Sequence, residues 1–242
     1  HAYMDLNDHV QKSIFWHGLR SEPYLRDNII RFSNNPEIKS FIDIGANYGH
    51  FSYLVATTRP EIEIYSFEPN PYNFINIQKI IELNNLKTIH PENIGLGATP
   101  GTIDFYIDGI NSGNCSFVKN HPFRVFENMN CIQSEVKTFD DWYEFSKLDF
   151  GYGEMLVKID VEGFEYEVLK GMEKSLIKMI FNALIIEIFP ETLKSAGTSP
   201  EKIFSYLIGR NYIPHTERDL SIINSFEISE NCNVIFLPKK KI

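Results

Sequence analysis

Basic side chains are scarce and scattered in this chain of 242 residues. Its 23 Lys and Arg are set against 32 Asp and Glu, for a formal net charge of −9. The one lysine run is Lys239-Lys240-Lys241 at the tail. Phosphate backbones reward clustered positive charge, so this distribution argues against a nucleic-acid substrate. The terminal lysines read as a solvated end, not as a membrane patch. Cysteine is sparse as well: Cys115, Cys131 and Cys232 cannot all pair within the chain, and no C-x-x-C spacing offers a metal site. A reducing, cytoplasmic location is the expectation. No apolar run of about 18 residues occurs and no basic-then-apolar leader opens the chain, which predicts a protein without a membrane span. The first residue is His1, as expected of a tag remnant or of a piece of a longer polypeptide.

The G-x-G-x-x-G fingerprint of dinucleotide binders is also missing. In its place stands Phe41-Ile42-Asp43-Ile44-Gly45-Ala46-Asn47-Tyr48-Gly49-His50-Phe51-Ser52, an apolar strand running into a G-x-x-x-G turn and then a helix. Gly45 and Gly49 allow a sharp turn and a close backbone approach to a ligand, and the free N–H groups opening the helix favour polar or anionic groups. Asp43 is read as ending this strand, and Glu68 as ending the next one in Tyr65-Ser66-Phe67-Glu68-Pro69. An acid about 20 residues beyond such a turn is placed to take two ribose hydroxyls. Together these features suggest a pocket for S-adenosylmethionine.

The chain length fits one domain. Residues 1–39 read as a helical cap segment with interspersed aromatics, and 40–242 as the catalytic domain. From residue 40 the pattern alternates: strand 40–44, helix 50–58, strand 62–67, helix 71–84 and a short strand near 87–90. This rhythm predicts βαβ units and a parallel sheet. A turn-rich stretch follows, with a strand over 103–107, a polar loop at Asn111-Ser112-Gly113-Asn114, a strand near 135–138 and a helix over 139–147. Strand 155–161, helix 164–174, strand 183–188, helix 200–209 and a hairpin-like pair near 211–224 and 232–237 complete the reading. Residues 108–130, with Phe117, Phe123 and Phe126, are expected to form a mobile lid on the acceptor side.

Charges within apolar strands mark the chemistry, because such groups are costly unless paired or used. Lys158 and Asp160 share one face of the segment Met155 to Val161, and Glu187 stands alone in Ala183 to Phe189. One reading has Lys158 pairing with a neighbouring carboxylate and Glu162 capping the helix that opens at Gly163. The other has Asp160, with Glu187, facing a transferable methyl group. Methyl transfer to an alcohol needs an aligned nucleophile and a group to accept its proton. Asp160 and Glu187 are candidates for that group; His90 and His121 are alternatives, whereas His50 reads as a helix-start residue. Asp160, Glu162 and Glu187 could also supply oxygen ligands to a hard cation such as Mg²⁺.

Four stretches carry a family resemblance: Asp43-Ile44-Gly45-Ala46-Asn47-Tyr48-Gly49; Phe67-Glu68-Pro69-Asn70-Pro71; Lys158-Ile159-Asp160-Val161-Glu162-Gly163-Phe164-Glu165 with Val168-Leu169-Lys170-Gly171; and Asn233-Val234-Ile235-Phe236. In that order they resemble the FkbM family of methyltransferases. The resemblance implies a Rossmann-like α/β three-layer sandwich with a mostly parallel seven-stranded sheet and an antiparallel last strand. It further implies S-adenosylmethionine binding by Asp43, Gly45, Asn47, Gly49, Glu68 and Pro69, and O-methylation of a sugar, a glycan or another small molecule. Two rivals stand beside it. One is a nucleotide-dependent oxidoreductase, disfavoured by the missing fingerprint, and the other a cofactor-binding module without catalysis.

Overall fold

In the computed structural model, residues 4–18, 22–124, 129–225 and 228–239 are described. Phe126, Lys240 and Lys241 therefore lie outside the described residues. Two helices, α1 (His9–His17) and α2 (Pro23–Ser33), precede the alternating region. Leu25 and Ile29 of α2 join Phe41, Phe51 and Val55 in one buried apolar cluster, which makes this opening segment continuous with the core.

The alternation then runs β1 (Ser40–Ile44), α3 (His50–Thr58), β2 (Glu63–Phe67), α4 (Pro71–Asn84) and β3 (Ile89–Glu92). After two β strands of an added sheet and its third, described below, it resumes with α5 (Phe139–Phe145), β7 (Met155–Ile159), α6 (Glu165–Lys170), α7 (Glu173–Lys178), β8 (Phe181–Ile188), α8 (Pro190–Ser195), α9 (Pro200–Ile208), β9 (Tyr212–Thr216) and β10 (Cys232–Pro238). The seven-stranded sheet has the order β3-β2-β1-β7-β8-β10-β9. Its pairs are parallel from β3 to β8, and β10 runs antiparallel to both β8 and β9. This is the Rossmann-like sandwich the sequence predicts. Central strands β1 and β7 are buried at every position, as strands covered on both faces must be.

The register pairs Asp43 with Lys158 and Ile44 with Ile159, although these residues are far apart in the chain. Strand order reverses between β1 and β7, so the crevice outside their carboxyl ends is where a ligand binds in a sheet of this type. The intervening chain forms a second, three-stranded sheet of β4 (Gly95–Leu96), β6 (Met129–Lys137) and β5 (Gly101–Asp108). Both longer strands exceed their sequence expectation. Exposed positions along them break the apolar alternation, and their pairing with each other supplies what local pattern did not. The expected helix 164–174 is divided at Gly171-Met172 into α6 and α7, and the short α8 follows Phe189.

The segment expected as a mobile lid is tied to its surroundings over its described part. The Asp8 carboxylate, which caps α1 by accepting from the Gln11 N–H, also accepts from Ser112 N (2.8 Å) and Ser112 Oγ (3.2 Å). Ser116 Oγ donates to the Glu162 carbonyl at 2.7 Å. Arg124, itself buried, donates to the carbonyls of Asn114 (2.7 Å) and Val118 (3.0 Å). Phe123 stacks on Phe189, and Phe117 packs edge-on against Phe105.

Candidate active site

A cavity of about 420 Å³ opens at the carboxyl ends of β1, β2, β7 and β8. Its first wall is the glycine turn. Gly45 has φ +76°, and a Cβ there would lie 1.8 Å from the backbone oxygen of Asp160, so only glycine lets β1 turn against the end of β7. Asn47 also sits in the left-handed region, at φ 52°, and its N–H points at Glu68. Gly49 closes the turn as the residue capping α3, away from the cavity lining.

Glu68 is buried at the end of β2 and lines the cavity with Gly45, Asn47 and Pro69. Its two carboxylate oxygens accept from Asn47 N at 2.7 Å and Asn70 N at 2.8 Å. Burial pushes its pKa up to about 8, with these two N–H donors opposing and the nearby Asp43 charge adding to the rise. Each oxygen keeps a further lone pair for a ligand. Beside it, Ile94, Leu96, Phe67 and Phe117 offer an apolar surface.

Asp43 is not part of the lining. It lies beneath, fully buried, accepting from Ser52 Oγ at 2.6 Å and standing 3.9 Å from Lys158 Nζ. Burial raises the Asp43 carboxyl against the pull of Lys158. Lys158 reaches the cavity, with Nζ 3.1 Å from Asp160 Oδ2. Burial works against its charge, but Asp160, Asp43 and Glu22 outweigh it and hold the ammonium above its usual range. Lys158 thus pairs with carboxylates on either side. Lys158→Met is expected to leave Asp43 as an uncompensated buried acid and to cost about 3 to 5 kcal/mol of stability in denaturant unfolding. A loss below about 1 kcal/mol would show that the pair is not what stabilises the junction of β1 and β7.

Asp160, Glu162 and Glu187 converge, with one carboxylate oxygen from each within 4.8 Å of the others. All three line the cavity. Glu187 accepts from Asn231 Nδ2 at 2.9 Å through one oxygen, while its other oxygen is buried and without a partner. Desolvation, and then the Asp160 charge, raise both Glu162 and Glu187. Glu162 does not cap α6, whose start carries no side-chain cap; Glu165 Oε1 instead accepts from Val161 N and Gly163 N at 3.1 Å each and braces the turn before the helix.

The histidines separate cleanly. His121 is buried behind the lining, with Nε2 3.1 Å from Glu162 Oε2, and desolvation followed by Arg124 pushes it down to about 4. It is a neutral support for Glu162 at a remove from the cavity. His90 lies on β3, paired with exposed Glu63, and is no part of the cavity lining. His50 does line it, and burial with the Lys158 charge lowers it to about 3. Glu22, Glu217, Asn231 and Cys232 also reach the cavity, and none was singled out as a site residue from the sequence. Glu22, Glu217 and Asn231 arrive from outside the helices and strands and Cys232 from the first position of β10, all remote in the chain, where no local pattern marks them.

A glycine turn at β1, an acid closing β2 and acids at the ends of β7 and β8, all on the carboxyl edge of this sheet, define a methyltransferase of the Rossmann-like class. The model of the methyltransferase FkbM domain matches residues 43–214, and the chain belongs to that family of enzymes. "Methyltransferase 1" of Beauveria bassiana is 26% identical over 170 residues, covering 62% of this chain and 65% of its own. The "Hexuronic acid methyltransferase AglP" of Haloferax volcanii is 27% identical over 167 residues, covering 68% of this chain and 59% of its own. The alignments thus span less than two thirds of these relatives' length. Among solved structures, the methyltransferase FkbM of Methylobacillus flagellatus superposes with a TM-score of 0.50 at 15% identity, covering 98% of this chain and 56% of that one, a likeness of fold. No helix among the described residues is long and apolar enough to cross a membrane.

Proposed function

We propose that this protein transfers a methyl group from S-adenosylmethionine to a hydroxyl of a sugar or glycan. The observation that carries the reading is a cavity whose one end presents Glu68 beside an apolar surface and whose other end gathers carboxylates around Asp160. That donor set fits an adenosine at one end and a positively charged sulfonium at the other. Glu68 would hold the ribose hydroxyls, Gly45 and Asn47 would shape the turn around them, and Ile94 and Leu96 would cover the adenine. When bound, the cofactor supplies an electrophilic methyl carbon. Asp160, kept next to the Lys158 ammonium, orients the acceptor hydroxyl and takes its proton, a role that also needs water kept out by the tied segment 108–124.

A sugar is favoured over other alcohols because the open end is lined by carboxylates and amides, which match several hydroxyls at once, and because one relative's name specifies a hexuronic acid. A non-sugar natural product is the second reading, supported by the apolar Phe117 and Phe105 on the same lining. Incubation with S-adenosylmethionine and a panel of sugars, glycans and natural-product alcohols is expected to release S-adenosylhomocysteine with a sugar. Cofactor binding without turnover on any member would point to a non-catalytic module, and bound nicotinamide would point to an oxidoreductase.

A further inference from the structure

Resting on that reading and extending it, we propose that the acceptor bears a positively charged amino group near the hydroxyl to be methylated, as an amino sugar does, and that Glu22, Glu187 and Glu217 select it over an acidic sugar. The cavity end away from Glu68 is lined by Glu22, Asp160, Glu162, Glu187 and Glu217. These come from separate places: the residue before α2, the end of β7 and the turn beyond it, β8, and the turn after β9. Among the described lining residues Lys158 is the one fixed cation. Its charge is already shared between Asp160 at 3.1 Å and Asp43 at 3.9 Å.

Burial holds Glu22, Glu162, Glu187 and Glu217 above the usual carboxylate range, so part of this charge develops only when a cation enters, and no neighbouring side chain supplies one. His50 and His121 are both pushed down by burial, to about 3 and about 4, and stay uncharged near neutral pH. Glu187 has only an amide partner on one oxygen, and its other oxygen is shut off from solvent with no donor facing it. An occluded carboxylate oxygen of this kind calls for a donor from a ligand. Glu217 has Asn233 as hydrogen-bond partner, and Arg218 beside it lies over the Tyr24 ring. S-Adenosylmethionine itself carries two cationic groups and one carboxylate, so it brings a single net positive charge to this excess. A uronate or phosphate would add negative charge to it. An ammonium with three N–H donors would satisfy it, and a neutral sugar would do so only in part.

The test is calorimetric titration of the full chain, first with S-adenosylhomocysteine and then, once saturated, with glucosamine, glucose or glucuronate as probes. Glucosamine is expected to bind about 10- to 100-fold more tightly than glucose, the span of a charge-assisted contact, with glucuronate weakest. In Glu187→Gln and, separately, in Glu217→Gln the glucosamine advantage should fall several-fold while S-adenosylhomocysteine affinity stays within a few-fold. The rim position Glu217 provides the variant least exposed to a folding defect. Equal affinity for glucosamine and glucose, preference for glucuronate, or no binding of any probe overturns the proposal. So would tight binding of Mg²⁺ alone that is lost in Glu187→Gln, because a metal ion would then be the neutralising charge. Absence of S-adenosylhomocysteine binding would instead bring down the methyltransferase reading beneath it.

Discussion

Above pH 8, where Glu68 is ionised, Glu68→Ala is expected to weaken S-adenosylhomocysteine binding by about 10- to 100-fold, the equivalent of roughly 1.5 to 3 kcal/mol of hydrogen bonds to a charged group. Two effects combine in that number. The variant removes the acceptors proposed for the ribose hydroxyls, and it strips Asn47 N and Asn70 N of the partners they have at 2.7 and 2.8 Å. Glu68→Gln separates the two. It keeps one carbonyl oxygen for a backbone donor but cannot accept through both ends, so a ribose-binding role predicts a clear loss of affinity with a smaller loss of thermal stability. Unchanged affinity in both variants, read by titration calorimetry, would confine Glu68 to shaping the turn.

Asp160→Asn is expected to lower turnover by about 100-fold or more while leaving cofactor affinity nearly intact. The shape is preserved and the negative charge is lost. Two consequences follow from the geometry. The carboxylate that would accept the hydroxyl proton is gone, and the Lys158 ammonium, buried at 3.1 Å from Asp160, keeps only Asp43 as a close counter-ion. Steady-state kinetics with saturating donor should show the effect in kcat. Near-normal turnover in a folded Asp160→Asn protein would transfer the proton-accepting role to Glu187 or Glu162, the two carboxylates that converge on it.

Sequence pattern made the alternating core legible for a simple reason: strands buried on both faces are largely apolar, as Leu184 to Ile186 are throughout and Phe41 to Ile44 are but for Asp43. The glycine turn was equally legible, since positive φ at Gly45 and Gly49 leaves a mark in residue type. What pattern did not separate was the lining from its support. Asp43 and Glu68 look alike as strand-end acids, yet one faces Lys158 beneath the cavity and the other faces into it. Strand alternation says on which face a side chain lies, not what fills that face. His121 was likewise readable as a loop histidine beside a proline, but its burial against Glu162 depends on a fold of the added segment that has weak periodicity. Glu22 and Glu217 depend on contacts between distant parts of the chain, such as the bond from Asn28 Nδ2 of α2 to the Glu217 carbonyl, and carry no local signature at all.

The register that sets Asp43 opposite Lys158 also fixes when this protein can first recognise a ligand as it folds. Strands β1, β2 and β3 are near neighbours in sequence, and their parallel pairs can form through short crossovers. Glu68 and the glycine turn are then in place, but the opposite wall is not. It arrives only when β7 pairs with β1, after a long loop has closed at an entropic cost that rises with its length. Ligand capture is therefore a late event, and a nascent chain that has emerged only as far as β6 carries half a pocket, with Asp43 lacking its Lys158 counter-ion.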